Sequence, residues 1–263
     1  MKITPHIFII AVLSVLLVLF LPAVRAHAET GETSDQSINI TASGTCKESG
    51  FIRLAKDIGR DYRNTFSRET ALWYGAGLGV TGLVHLADDE ISEALAVPSD
   101  PAFMRPGDIY GNLAFQFPLA AGWWAVGSLL GSAREAEVGR DLLRAQINSA
   151  TWTYAIKFAV NRERPNGDKR SFPSGHATST FATAMVMKEH YGWKVGVPFF
   201  IAAGYTAVTR VANEKHWASD VAFGAVIGMA SARTVTIHLR KKKITLIPMA
   251  VPGGAGFALV PLN

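Results

Sequence analysis

Three short stretches carry side chains whose types and spacing suit chemistry on an anion. In Phe172-Pro173-Ser174-Gly175-His176-Ala177-Thr178-Ser179 a proline break precedes a serine, a glycine and a histidine where a helix-compatible run begins. Serine is a good N-cap residue, and the backbone N–H groups of Gly175 and His176 would be free donors at a helix N-terminus, where the dipole favours an anion. Glycine lets the backbone approach a ligand closely. A neighbouring negative charge would help His176 carry a proton. In Lys157 to Pro165, "KFAVNRERP", Lys157 and Arg164 stand seven residues apart. Two helical turns point them to one side, and Pro165 biases Arg164 away from helical geometry, which puts both cations near a helix C-terminus. In Thr209 to Asp220, "TRVANEKHWASD", Arg210 offers a planar fork of donors suited to phosphate oxygens. His216 and Asp220 are four apart; at a helix start, the carboxylate can accept a hydrogen bond from one ring nitrogen and leave the other free to attack. Each stretch also has a local reading: a capped helix with a surface histidine, a solvated basic helix end, and an i,i+4 surface pair.

These residues need elements to position them. Glu29 to Ser49 is polar, rich in Ser, Thr and Gly, and reads as a flexible lead-in. Phe51 to Glu69 reads as an amphipathic surface helix. Apolar segments with short polar breaks follow: Thr70 to Ala87, Ile109 to Ser132, Glu137 to Asn161 up to Pro165, Ala177 to His190, Val195 to Arg210 and Ser219 to His238. Pro98 to Gly107 reads as a loop. "ITLIPMAVPGGAGFALV" has β-type residues on both sides of Pro252-Gly253-Gly254, which predicts a short C-terminal hairpin. The fold class expected is all-α: a helical bundle of about six core helices over 70–240, with a basic run and a hairpin tail over 241–263.

Taken together, the three stretches resemble the type 2 phosphatidic acid phosphatase family, which shares its site with bacterial non-specific acid phosphatases and vanadium haloperoxidases. The shared pattern reads here Lys157-x6-Arg164-Pro165, Pro173-Ser174-Gly175-His176 and Thr209-Arg210-x5-His216-x3-Asp220. Thr209 departs from the usual serine but keeps a hydroxyl. The resemblance implies a helical bundle and a phosphohistidine mechanism. His216 would attack phosphorus, Asp220 would orient it, and His176 would protonate the leaving oxygen. Lys157, Arg164, Arg210, Ser174 and the Gly175 N–H would hold the phosphoryl oxygens. Three cations and a helix N-terminus can supply the positioning and charge stabilisation that phosphoryl transfer needs without a metal or other cofactor.

Composition sets the remaining bounds. The chain has 263 residues, 49% hydrophobic and 18% charged, with a net charge of +5. Lys2, the apolar run Ile7 to Leu21 and Ala26-His27-Ala28 read as an export signal over 1–28; an uncleaved anchor is the alternative. The single cysteine, Cys46, excludes an intramolecular disulfide. Ile109 to Ser132 is long enough to span a bilayer, whereas Glu137 to Asn161 carries Arg140, Asp141, Arg144, Gln146 and Asn148. Six crossings behind an export signal would put the 162–174 loop in the cytoplasm and basic residues Arg134, Arg140, Lys188, Lys194 and Arg240 to Lys243 outside, against the positive-inside rule. A soluble or peripheral bundle removes the conflict, as would one segment failing to cross; an integral membrane protein is the alternative.

Asp88-Asp89-Glu90 reads as a solvated helix end and His85 as a core histidine. Arg162, Lys169 and Arg170 either steer anions or are solvated, and Lys241 to Lys243 either touches anionic lipid or ends a helix. Nucleic acid is not an expected partner of an exported chain without a clustered basic groove. The function expected is an exported, metal-independent phosphatase of phosphomonoesters or pyrophosphates, with a lipid phosphate as partner and possible contact with a membrane surface. A soluble acid phosphatase, a vanadate-dependent haloperoxidase and a phosphate- or lipid-binding protein are the alternatives.

Overall fold

The computed structural model describes residues 50–95, 101–240, 243–251 and 254–262, which fall within one compact unit, Glu48–Asn263. The expected signal segment and the polar lead-in, Glu29 to Ser49, lie outside the described residues. The amphipathic pattern folds as α1 (Gly50–Thr65). Ser67 then caps α2 (Arg68–His85), accepting from the Thr70 N–H at 3.3 Å. Short α3 (Asp88–Leu95) and α4 (Pro101–Gly111) follow. The loop expected over 98–107 is therefore helical from Pro101 on; proline at the first helical position lacks an N–H that would be unpaired there anyway. The apolar stretch read from Ile109 is also divided. Asn112 accepts from the Ala114 N–H at 2.8 Å and starts α5 (Leu113–Leu129).

The remaining helices are α6 (Ala133–Val160), α7 (Gly175–Tyr191), α8 (Trp193–Ala212), α9 (Ala218–Val235) and the short α10 (Ile237–Arg240). Two strands close the description, β1 (Lys243–Val251) and β2 (Gly254–Leu262), antiparallel with Val251 opposite Gly254 and Lys243 opposite Leu262. At the centre, α7 packs against α6, α8 and α9; α2 lies on α9, α5 on α6 and α4 on α8. Close approach is built in where α9 passes the start of α7. A Cβ on Gly224 would sit 2.6 Å from the Ser174 carbonyl oxygen.

The bundle buries polar side chains beside its apolar core and carries large apolar side chains on its outer surface. Inward-facing α6 residues include Asp141, Arg144, Gln146, Asn148 and Ser149, all buried. Arg144 reaches Asp61 of α1 at 2.5 and 2.7 Å and Asp141 at 2.7 Å, and His190 meets Asp141 at 3.0 Å. Gln146 donates to the Ser179 carbonyl and to Thr183, both at 2.9 Å. Outward-facing residues include Leu72 and Leu83 on α2, Leu129 on α5, Phe158 on α6, and Trp193 and Ile201 on α8, each more than 60% exposed. A helix of a water-soluble bundle turns its apolar stripe to the core instead. Asp141 and Arg144, which help make α6 look a poor span, are thus satisfied by partners inside the bundle.

Candidate active site

The three stretches meet at one end of the bundle. α6 stops at Asn161, whose backbone is left-handed (φ 46°) and whose N–H donates to the Lys157 carbonyl at 3.2 Å. Arg164 is therefore not on the helix, and the two-turn argument for its direction is corrected. What joins it to Lys157 is the loop folding back. Arg164 N–H donates to the Asp168 carbonyl at 2.8 Å, and Ser171 N–H to the Arg162 carbonyl at 2.8 Å. Lys157 Nζ donates to the carbonyls of Arg170 and Ser171 at 2.6 and 3.3 Å. Lys157 and Arg164 line an open cleft of about 380 Å³ with Asp168, Lys169 and Arg170.

Ser174 precedes α7 in extended geometry, and its N–H donates to the Asp220 carbonyl at 3.0 Å. Its hydroxyl does not cap the helix as expected; it is buried and has no hydrogen-bond partner. Gly175 and His176 form the first turn. A Cβ on Gly111, the last residue of α4, would lie 2.7 Å from His176 Cδ2, so only glycine allows α4 to close over this histidine. The same helix brings Asp108 to the Arg210 guanidinium in an ion pair. Thr209 donates its hydroxyl to the Thr206 carbonyl at 2.7 Å, a local bond within α8.

Arg210 is buried in the last turn of α8, and its carbonyl accepts the N–H groups of Lys215 and His216, both at 3.2 Å. This turn returns His216 to the site. His216 stands before α9, while Asp220 is the third residue of that helix, so the pair straddles the helix start. His216 Nδ1 lies 3.7 Å from Asp220 Oδ2, longer than a hydrogen bond. Asp220 Oδ2 instead accepts the Trp217 N–H at 2.9 Å and the Ser171 hydroxyl, and Oδ1 accepts from Arg162 Nη1 at 2.8 Å. Burial pushes the His216 imidazole down to about 4; Asp220 opposes this, and the charges of Lys157 and Arg210 add to it.

Ser174 Oγ, Arg164 Nε, Arg210 Nε and His216 Nδ1, buried polar atoms of residues singled out by spacing, have no hydrogen-bond partner; Thr206 Oγ1, on α8 near His176, and further atoms elsewhere in the bundle share that property. A further group went unread. Asp88 is buried rather than solvated, and His85, at 61% side-chain exposure, is not a core residue but its partner at 2.8 Å. Arg162 neither steers nor is merely solvated, since it bridges Asp88 and Asp220. Lys169 pairs with exposed Glu163 at 3.2 Å, and Arg170 lies over the Phe158 ring at 4.9 Å. Sequence spacing carries no signal for Ser171 or Asp108, whose partners are 49 and 102 residues away. Among the described residues, no group of three or more His, Cys, Asp or Glu is disposed to hold a metal ion.

A helical bundle gathers two histidines, a carboxylate and three cations at one end, and comparison with known proteins finds similar chains. Residues 146–244 match the model of the PAP2 superfamily. A lipid A 1-phosphatase of Porphyromonas gingivalis is 35% identical over 98 residues, 35% of this chain and 20% of that protein. A putative phosphatidate phosphatase of Drosophila melanogaster is 36% identical over 81 residues, 26% of this chain and 21% of that protein. A decaprenylphosphoryl-5-phosphoribose phosphatase of Mycobacterium tuberculosis is 31% identical over 119 residues, 40% of this chain and 65% of that protein. The chain thus spans about a fifth of the first two relatives. The fold is shared with a transmembrane PAP2 type phosphatidylglycerolphosphate phosphatase from Bacillus subtilis, at TM-score 0.52 and 18% identity over 73% of this chain and 96% of that one.

Proposed function

We propose that the protein is a phosphatase of lipid phosphates that works through a phosphohistidine. The observation that carries this reading is the set of buried, unpartnered donor atoms on Ser174, Arg164 and Arg210 at the end of the bundle that also holds His216. They suit an anion whose oxygens accept from all sides. Lys157, Arg164 and Arg210 hold the phosphoryl oxygens with the Ser174 hydroxyl and the Gly175 N–H. His216 Nε2, opposite the nitrogen turned to Asp220, attacks phosphorus. The bond from phosphorus to the leaving oxygen breaks, and His176 gives that oxygen a proton. A water then attacks phosphorus, loses its proton to His176 and releases phosphate as the N–P bond breaks.

A lipid substrate is supported by the outward apolar side chains and by the relatives, whose names describe phosphatases of lipid phosphates. The same outer surface supports a bundle embedded in a membrane rather than a soluble or peripheral one. Among the described residues α8 is long and apolar enough to cross by composition. Arg134, Lys188 and Lys194 sit at helix ends away from the site, which would put the site on the exported side. That orientation agrees with an N-terminal export signal if one of the six segments does not cross.

Hydrolysis of p-nitrophenyl phosphate in EDTA tests the reading. The wild-type chain should retain activity, and His216→Ala should lose it by roughly a thousandfold or more. Unchanged turnover in the variant would sink the assignment.

A further inference from the structure

We propose that Asp88 and Arg162 are positioning residues of this reaction, a carboxylate–guanidinium pair that holds Asp220 behind His216. The inference rests on the phosphohistidine reading above. Arg162 leaves the loop after α6 and uses both arms of its guanidinium. Nη1 donates to Asp220 Oδ1 and to Ser219 Oγ, each at 2.8 Å, and Nη2 donates to Asp88 Oδ2 at 2.8 Å. The plane lies against the Trp217 ring, 5.4 Å from its centroid.

Asp88 opens α3 and is itself fixed. Its Oδ1 accepts the Ser219 N–H at 2.8 Å, which caps the start of α9 from another helix. Its Oδ2 accepts the Ser219 hydroxyl at 2.6 Å and faces His85 Nδ1 at 2.8 Å. Burial would raise this carboxyl, but the bonds from Ser219, Arg162 and His85 hold it below the usual range.

The consequence lies at Asp220. Its Oδ1 is taken by Arg162, while Oδ2 receives Ser171 and Trp217 and faces His216. Rotation of this carboxylate would carry Oδ2 away from the ring and leave a buried oxygen unpaired. Asp88 also restrains Arg162, for whose guanidinium a substrate phosphate would otherwise compete with Asp220. Lysine keeps the charge but cannot bridge two carboxylates with a rigid fork.

The test is steady-state hydrolysis of p-nitrophenyl phosphate by the full chain in detergent, comparing wild type, Asp88→Asn, Arg162→Lys and His216→Ala, with inorganic phosphate as competitive inhibitor. Asp88→Asn and Arg162→Lys should lower kcat about 10- to 100-fold, the scale of a lost hydrogen bond to a charged group, and leave KM and the phosphate inhibition constant within about threefold. A purely structural role predicts that kcat and phosphate binding weaken together; that outcome, or kcat within about threefold of wild type in both variants, overturns the proposal. If either variant fails to fold, judged by its melting transition, the other decides. Full activity in His216→Ala would instead remove the underlying mechanism, a failure distinct from an unaffected Asp88→Asn.

Discussion

At Ser174, Arg164, Arg210 and His216, single atoms support the proposed reading of the site. On Ser174, Arg164 and Arg210 the atom is a donor withdrawn from water, a costly arrangement that a bound phosphoryl group would relieve, whereas the unpartnered Nδ1 of His216 faces Asp220. His216 carries the sharpest residue-scale prediction. Its imidazole lies among Asp220, Lys157 and Arg210, and burial holds it near 4, below the ordinary histidine value. A nucleophilic imidazole must be neutral, and a lowered value means that the neutral form persists as pH falls. After correction for substrate ionisation, the acid limb of kcat/KM should therefore fall near pH 4, not near 6.5. A limb at the ordinary histidine value would show that the imidazole is not desolvated as described.

At the scale of elements, spacing in the sequence found the contributors but not always their geometry. Lys157 and Arg164 were legible because both bind one cleft; that they do so through a left-handed stop at Asn161 and a returning loop was not, since seven residues look like two turns until the helix is known to end. His216 and Asp220 were legible as a pair, yet the helix begins between them, which leaves Nδ1 3.7 Å from the carboxylate. The helices that close the site from outside the motifs were not legible. Asp88 looked like an acidic helix start, and that is what it is, but for α9 as well as its own helix. The stretch before Gly111 looked like a loop because of its prolines, and it folds as the helix that covers His176 and Arg210. Contacts between residues far apart in the chain leave no periodic trace, so these roles come only from the fold.

For the molecule as a whole, composition could not separate inside from outside. Arg144, Asp141, Gln146 and Asn148 count against a membrane span when read along the chain, but they turn inward and bind one another or neighbouring helices. Large apolar side chains such as Leu83, Leu129 and Ile201 turn outward, which supports the proposed membrane setting. Alkaline carbonate should accordingly leave the protein in the membrane pellet, and intact cells should hydrolyse a membrane-impermeant phosphate ester; release to the supernatant would restore the peripheral bundle, and activity confined to lysed cells would reverse the proposed orientation. The central claim is covalent, and so is its most direct test. A single turnover with substrate labelled at phosphorus, quenched in alkali where phosphohistidine survives, should place the label on His216 and lose it in His216→Ala. Label on another residue, or complete hydrolysis with no labelled enzyme at any time, would contradict the mechanism.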